Sequence, residues 1–209
     1  MSDSKPAMIF DFGGVLIDWN PRHLYRKFFA DEAAMEKFLA EVCSPHWNEQ
    51  QDAGRPFAEA VALLVAEYPE QAELIHAFWE RWDEMVAGAL EPTVAVMREL
   101  KDAGYPLYGL SNWSAETFPR ARPRFAFFDW FETIVLSGEV KMSKPDPRIF
   151  ELILKKIGKP APQCVFIDDS AVNVTTAQRL GFQVIHFQSA ELLREELLKL
   201  GVWRELLTG

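Results

Sequence analysis

Four short stretches of the chain combine residue types suited to chemistry: Asp11-Phe12-Gly13-Gly14-Val15, Ser111-Asn112, Lys144 and Asp168-Asp169-Ser170. Singly, each has an ordinary explanation, since an Asp after a strand often caps a helix, Ser-Asn is often a turn, and a lysine is often a solvated charge. Together, in the order carboxylate, hydroxyl with amide, lysine, carboxylate pair, they are hard to obtain by accident. Asp11, held at the end of a buried strand, could attack phosphorus to give an aspartyl phosphate, splitting one displacement into two easier steps. A hard cation bound by oxygen would draw the carboxylate and a phosphate oxygen together, and Mg²⁺ suits that task. The expected ligands are Asp11, the backbone carbonyl of Gly13 and Asp169, with Asp168 orienting metal-bound water. Ser111 and Asn112 bring a hydroxyl, an amide and backbone N–H groups to a place that favours phosphate oxygens. Lys144 adds the compensating positive charge.

Those residues need a frame that carries them to one rim. Five short apolar runs have the pattern of buried parallel strands: Met8–Phe10, Leu107–Leu110, Thr133–Leu136, Val165–Ile167 and Val184–Phe187. Helical patterns alternate with the later strands, and Gly104, Gly158, Gly181 and Gly201 close them. Alternation of this kind predicts an α/β fold, a doubly wound parallel sheet with ligands at the carboxyl ends of its strands. The chemistry-bearing residues follow the first, second and fourth predicted strands, with Lys144 a short loop beyond the third. Asp146 is expected to cap the next helix with Pro147 at its first position, Ser170 to cap another, and Asn173 to give a supporting hydrogen bond.

The interval from 18 to 88 breaks the alternation. It shows amphipathic helical patterns and no convincing strand, so it reads as an inserted helical cap, leaving 1–17 and 89–209 as the α/β core. Trp19, Trp47 and Trp113 are candidates for a pocket roof, although packing is the commoner role for each. The segment His46-Trp47-Asn48-Glu49-Gln50-Gln51-Asp52 is expected to be a substrate-reading loop between cap helices. His23 and His46 lack spacing partners for a metal site or a triad.

Composition narrows the function further. A net charge of −9 and a sequence pI near 5.0 oppose a nucleic-acid or anionic-membrane surface. The polar start and short apolar stretch Ala7–Phe12 fit neither a signal peptide nor a span, which predicts a cytoplasmic protein. Cys43 and Cys164 read as buried free thiols, and Asn173-Val174-Thr175 as a chance glycosylation match.

Asp11–Leu16, Leu110-Ser111-Asn112, Lys144-Pro145-Asp146-Pro147 and Phe166-Ile167-Asp168-Asp169 resemble the four motifs of the haloacid dehalogenase superfamily, and the match covers nearly the whole chain. The resemblance implies a Mg²⁺-dependent phosphatase of a small phosphorylated metabolite, with a helical cap between the first two motifs. The Asp-x-Gly opening is closest to a glucose-1-phosphate phosphatase type. Most family phosphatases place a second Asp where this chain has Gly13, and that Asp protonates the leaving oxygen. Its loss points to substrates with good leaving groups, a sugar 1-phosphate among them. Two alternatives stand beside this reading. One is a 2-haloacid dehalogenase, although dehalogenases of the family carry an aromatic residue and a Thr where Gly13 and Val15 stand. The other is a non-catalytic phosphate-binding regulatory module.

Overall fold

The structure, a computed structural model, describes residues 5–202. Five parallel strands form the main sheet: β1 (Ala7–Phe10), β4 (Leu107–Ser111), β5 (Thr133–Leu136), β6 (Cys164–Asp168) and β7 (Gln183–His186), in the order β5-β4-β1-β6-β7. The all-apolar run Ala7-Met8-Ile9-Phe10 is inaccessible along its whole length, as a central strand covered on both faces must be. Successive residues serve opposite faces. Met8 and Phe10 join one apolar core with Leu107, Val165 and Ile167, while Ala7 and Ile9 join the other with Leu110 and Phe166.

The strand order places β4 and β6 on either side of β1, so the carboxyl ends that bear Ser111, Asp11 and Asp168 are neighbours. The connecting helices end as their sequences demand. The helix Pro147–Ile157 begins at Asp146, whose carboxylate accepts from the Arg148 N–H at 2.9 Å, and stops at Gly158 with φ of 67°.

Two short strands correct the expectation that 18–88 holds none. β2 (Ile17–Trp19) and β3 (Val86–Ala89) pair antiparallel, Ile17 opposite Ala89 and Asp18 opposite Gly88. Each is three or four residues long, and Val86-Ala87-Gly88-Ala89 continues an apolar helical spacing, so periodicity could not reveal them. The ribbon carries the chain out to the helices between residues 22 and 80 and back again. Those helices pack on rings: Tyr25 against Phe38 at 5.0 Å between centroids, Trp47 edge-on to Phe78 at 5.0 Å, and Phe57 stacked on Trp79 at 4.6 Å.

A second correction concerns 46–52, which is not a loop. The helix Pro45–Asp52 occupies it, started by Ser44, whose hydroxyl accepts from the Trp47 N–H at 3.2 Å, and by Pro45 at the first position. Capping outweighed the weak apolar periodicity of this polar segment. Among the described residues no helix is long and apolar enough to cross a membrane.

The first motif rests on Phe12, whose ring lies against Phe128 at 5.1 Å and Phe131 at 5.4 Å and directly over Gly109 of β4. A Cβ at Gly109 would fall inside contact distance of that ring. Gly109→Ala should therefore destabilise the protein by about 1–3 kcal/mol, the usual range for overpacking. Urea unfolding measures it, and an unchanged midpoint would mean that Phe12 is free to move aside.

Candidate active site

Asp11 follows β1 directly and is held from three sides. Its Oδ1 accepts from the Ser111 hydroxyl at 2.7 Å and from the Phe12 backbone N–H at 2.7 Å, while Lys144 Nζ lies 3.0 Å from Oδ2. Lys144 also donates to Asp168 Oδ2 at 2.6 Å, so one buried ammonium bridges two carboxylates from adjacent strands. Burial alone would push Lys144 toward neutrality, but Asp11 and Asp168 outweigh it and hold its pKa above the ordinary lysine value. Burial pushes Asp11 up to about 7; Lys144 pulls against this and the Asp168 charge adds to it. The stable arrangement is a charged lysine between carboxylates that resist ionising together.

Asn112, expected to face phosphate, holds Lys144 in place. Its Oδ1 accepts from the Lys144 N–H and its Nδ2 donates to the Lys144 carbonyl, both at 2.8 Å. Asp168 is inaccessible and its carboxylate is filled by Lys144, by the Ser170 N–H at 2.8 Å and by Asn173 Nδ2 at 3.1 Å. Asn173 thus makes its expected supporting bond. Ser170 departs from expectation: it occupies the cap position of the helix Ala171–Arg179, but its side chain makes no capping bond, and its N–H donates to Asp168 instead.

Asp169 is the open member of the pair. Its pKa is raised, first by burial and then by Asp168. Oxygens of Asp11, Asp168 and Asp169 lie within 4.8 Å of one another. An all-oxygen, carboxylate-rich set of this kind fits a hard divalent cation, whose charge would also relieve the repulsion within it. Gly14, which the sequence reading passed over, makes this possible. Its φ is +72°, and a Cβ there would collide with the Asp169 carboxylate.

Beside the cluster opens a cavity of about 110 Å³. Gly13, Ser111 and Asn112 line it together with Trp19, Trp82 and Trp113. Of the three tryptophans that are candidates for a roof, with packing the commoner role, Trp19 and Trp113 line the cavity, whereas Trp47 packs in the helical layer. Asn48 and Asp52, from the segment expected to read substrate, line the cavity as well, whereas Trp82 is a lining residue that sequence reasoning missed, because its apolar spacing reads as packing alone. Trp19 Nε1 is buried without a hydrogen-bond partner in the structure. His23 is elsewhere, 3.0 Å from Asp18, and His46 is an exposed neighbour of Glu49. Cys43 and Cys164 are buried and free.

Residues 5–181 match the family model of the haloacid dehalogenase-like hydrolases. The chain belongs to that family. Among curated relatives it is 29% identical to the sesquiterpene phosphatase astK of Aspergillus oryzae, over 96% of this chain and 98% of that protein. It is 24% identical to (S)-2-haloacid dehalogenase 4A of Burkholderia cepacia, over 88% and 84% of the two chains. Its fold also matches a HAD family enzyme of Bacteroides thetaiotaomicron crystallised with magnesium and inorganic phosphate, with a TM-score of 0.67, 24% identity, and coverage of 89% of this chain and 96% of that one.

The lysine bridge generates a signed expectation for stability. Asp11, with its folded pKa raised, stabilises the fold most at pH below its unfolded value and loses that contribution as pH rises through about 7. Lys144 limits this loss. Lys144→Met should cost less at pH 5 than at pH 8, where the cost should reach about 3–5 kcal/mol because an ionised, buried Asp11 then faces no cation. Denaturant melts at the two pH values test it, and an equal cost at both would remove charge pairing as the cause.

Proposed function

We propose that this chain is a magnesium-dependent phosphomonoester hydrolase that acts on a small phosphorylated metabolite through an aspartyl phosphate on Asp11. The observation that carries the reading is the Asp11 carboxylate, aimed by Ser111 and the Phe12 N–H, charge-balanced by Lys144, and within ligand distance of Asp168 and Asp169. The phosphatase among its relatives and the magnesium and phosphate in its structural neighbour support it. Asp11, Asp169 and the Gly13 carbonyl would hold the ion, which supplies charge compensation between the nucleophile and the phosphoryl oxygens when bound. Asp168, already filled, serves by fixing Lys144 beside the nucleophile. Ser111 and Lys144 face the phosphoryl group, and Asn112 holds the loop that carries Lys144.

In this reading residues 18–88 are the cap and select the leaving group, while 1–17 and 89–209 carry out phosphoryl transfer. A sugar 1-phosphate is the first substrate class, because its anomeric oxygen leaves readily and indole faces stack against sugar rings. The cavity also favours a second class, the phosphate of an apolar alcohol. Three tryptophans are among its lining residues, and it shares Trp19, Asn48 and Asp52 with an adjoining cavity of about 640 Å³ that Leu39, Cys43 and Phe78 help to line. The relation to a sesquiterpene phosphatase points the same way. Gly13 and Val15 disfavour dehalogenation, and halide release from a 2-halo-acid without added metal would reverse that choice.

Asp11→Asn should abolish Mg²⁺-dependent hydrolysis of an aryl phosphate while leaving the melting temperature near that of the parent, because an amide neither attacks phosphorus nor compensates the cation. Residual activity close to the parent's would remove Asp11 from its role. Asp169→Ala should raise the Mg²⁺ concentration needed for half-maximal rate, since one of few charged ligands is lost. An unchanged titration would move the ligand to Asp168. A panel containing a hexose 1-phosphate, the matching 6-phosphate and a terpenyl monophosphate, compared by kcat/KM, decides the leaving group.

A further inference from the structure

We propose that Asp52, the last residue of the helix Pro45–Asp52, is the acid that protonates the leaving oxygen, in place of the carboxyl absent at Gly13. The inference rests on the phosphatase reading above and deepens it. Asp52 lines the cavity beside Asp11 together with Gly13, Ser111 and Asn112, so its carboxyl borders the space where an ester bound at Asp11 would place its leaving group. Open space surrounds the missing Gly13 side chain, where a Cβ would meet nothing within 4 Å.

The carboxyl of Asp52 is aimed by contacts from both layers of the molecule. Oδ1 accepts from the Ser114 backbone N–H at 3.0 Å, on the loop that follows β4, and Oδ2 accepts from Asn48 Nδ2 at 2.9 Å, one helical turn back. The Asp52 carbonyl accepts from the Ser137 hydroxyl, which in turn accepts from the Trp113 N–H at 2.9 Å. Next to it, Lys141 Nζ donates to the Gly54 carbonyl at 2.9 Å, and the loop 113–115 presses on Gly138, where a Cβ would strike the Ala115 backbone. This end of the helix is therefore fixed against the loops that carry Ser111, Asn112 and Lys144.

Its surroundings favour the acid form. Burial pushes Asp52 up to about 7; the Ser114 N–H opposes this, and the nearby charges of Glu49 and Asp11 add to the rise. Its place at a helix C-terminus acts in the same direction, since the helix dipole is negative there. A carboxyl that still carries its proton near neutral pH can give it up when an alkoxide develops.

The step balances. As the Asp11 Oδ–P bond forms and the ester P–O bond breaks, the Asp52 proton passes to the departing oxygen, leaving an alcohol and the Asp52 carboxylate. In the second step water attacks the aspartyl phosphate, Asp52 takes the proton from that water, and Asp11 and inorganic phosphate are released with Asp52 again protonated.

The test compares leaving groups at saturating Mg²⁺ in the full chain. Asp52→Asn keeps an oxygen for the Ser114 N–H and removes only the acid, and Asp52→Ser is the second variant should the first fail to fold. For a primary alkyl phosphate, whose oxygen needs a proton to leave, kcat/KM should fall by about 10²–10⁴-fold. For p-nitrophenyl phosphate, whose phenolate leaves unaided, it should fall far less, so the alkyl-to-aryl ratio collapses. An equal loss on both esters, or no loss on the alkyl ester, would overturn the role of Asp52 while leaving the phosphatase reading intact. Failure of the parent protein to hydrolyse either ester with Mg²⁺ would instead remove the phosphatase reading, and Asp52 with it.

Discussion

The buried bridge Asp11–Lys144–Asp168 is the constraint around which the rest of the molecule is organised. Two carboxylates on neighbouring strands cannot both ionise in a dry environment without a cation between them. Lys144 supplies it at 3.0 Å and 2.6 Å, and the elements around it hold it there. The Asn112 amide clamps both backbone polar groups of Lys144, and the helix Pro147–Ile157 begins shortly beyond with its own cap. Packing serves the same end from below. Phe12 fills the space over Gly109, so the residue next to Asp11 is anchored among rings and not in solvent.

Around this bridge the carboxylates divide the work by burial. Asp168 is inaccessible and fully hydrogen-bonded, which suits a structural counter-charge. Asp169 is open, with a raised pKa and a glycine opposite it that lets it approach the first loop. Adjacent residues of the same type thus become different groups, because Asp168, the last residue of β6, is inaccessible and Asp169, just beyond it, is exposed.

The helical layer is joined to the core by polar contacts as well as by rings. The Phe57 N–H donates to Glu116 at 2.7 Å, and Arg120 reaches the Trp79 carbonyl at 2.9 Å. Arg120 also lies over the Trp82 ring, and Asp52 accepts from the Ser114 N–H, so two residues that line the cavity are held by the interface that seats the helices.

The sequence by itself determined the frame and the cluster. The apolar runs ending in Asp11, Ser111 and Asp168 are local signals, because a strand buried on both faces admits only apolar residues, and the glycine stops depend on backbone freedom alone. Tertiary structure decided what depended on contacts between distant segments. The ribbon of β2 and β3 exists only because residues about 70 apart pair, and three or four residues carry too little pattern to announce it. The Asn112 amide was legible as a polar group beside the site, but its partner was fixed only when the loop bearing Lys144 folded against it. Asp52 shows the same limit most plainly: in sequence it is one acid in a segment expected to read substrate, and only the docking of its helix against Ser114 and Ser137 fixes which side chain meets the cavity and how it is held. A side chain's chemistry is local, but its pKa and its neighbours are properties of the folded surface, which no spacing along the chain encodes.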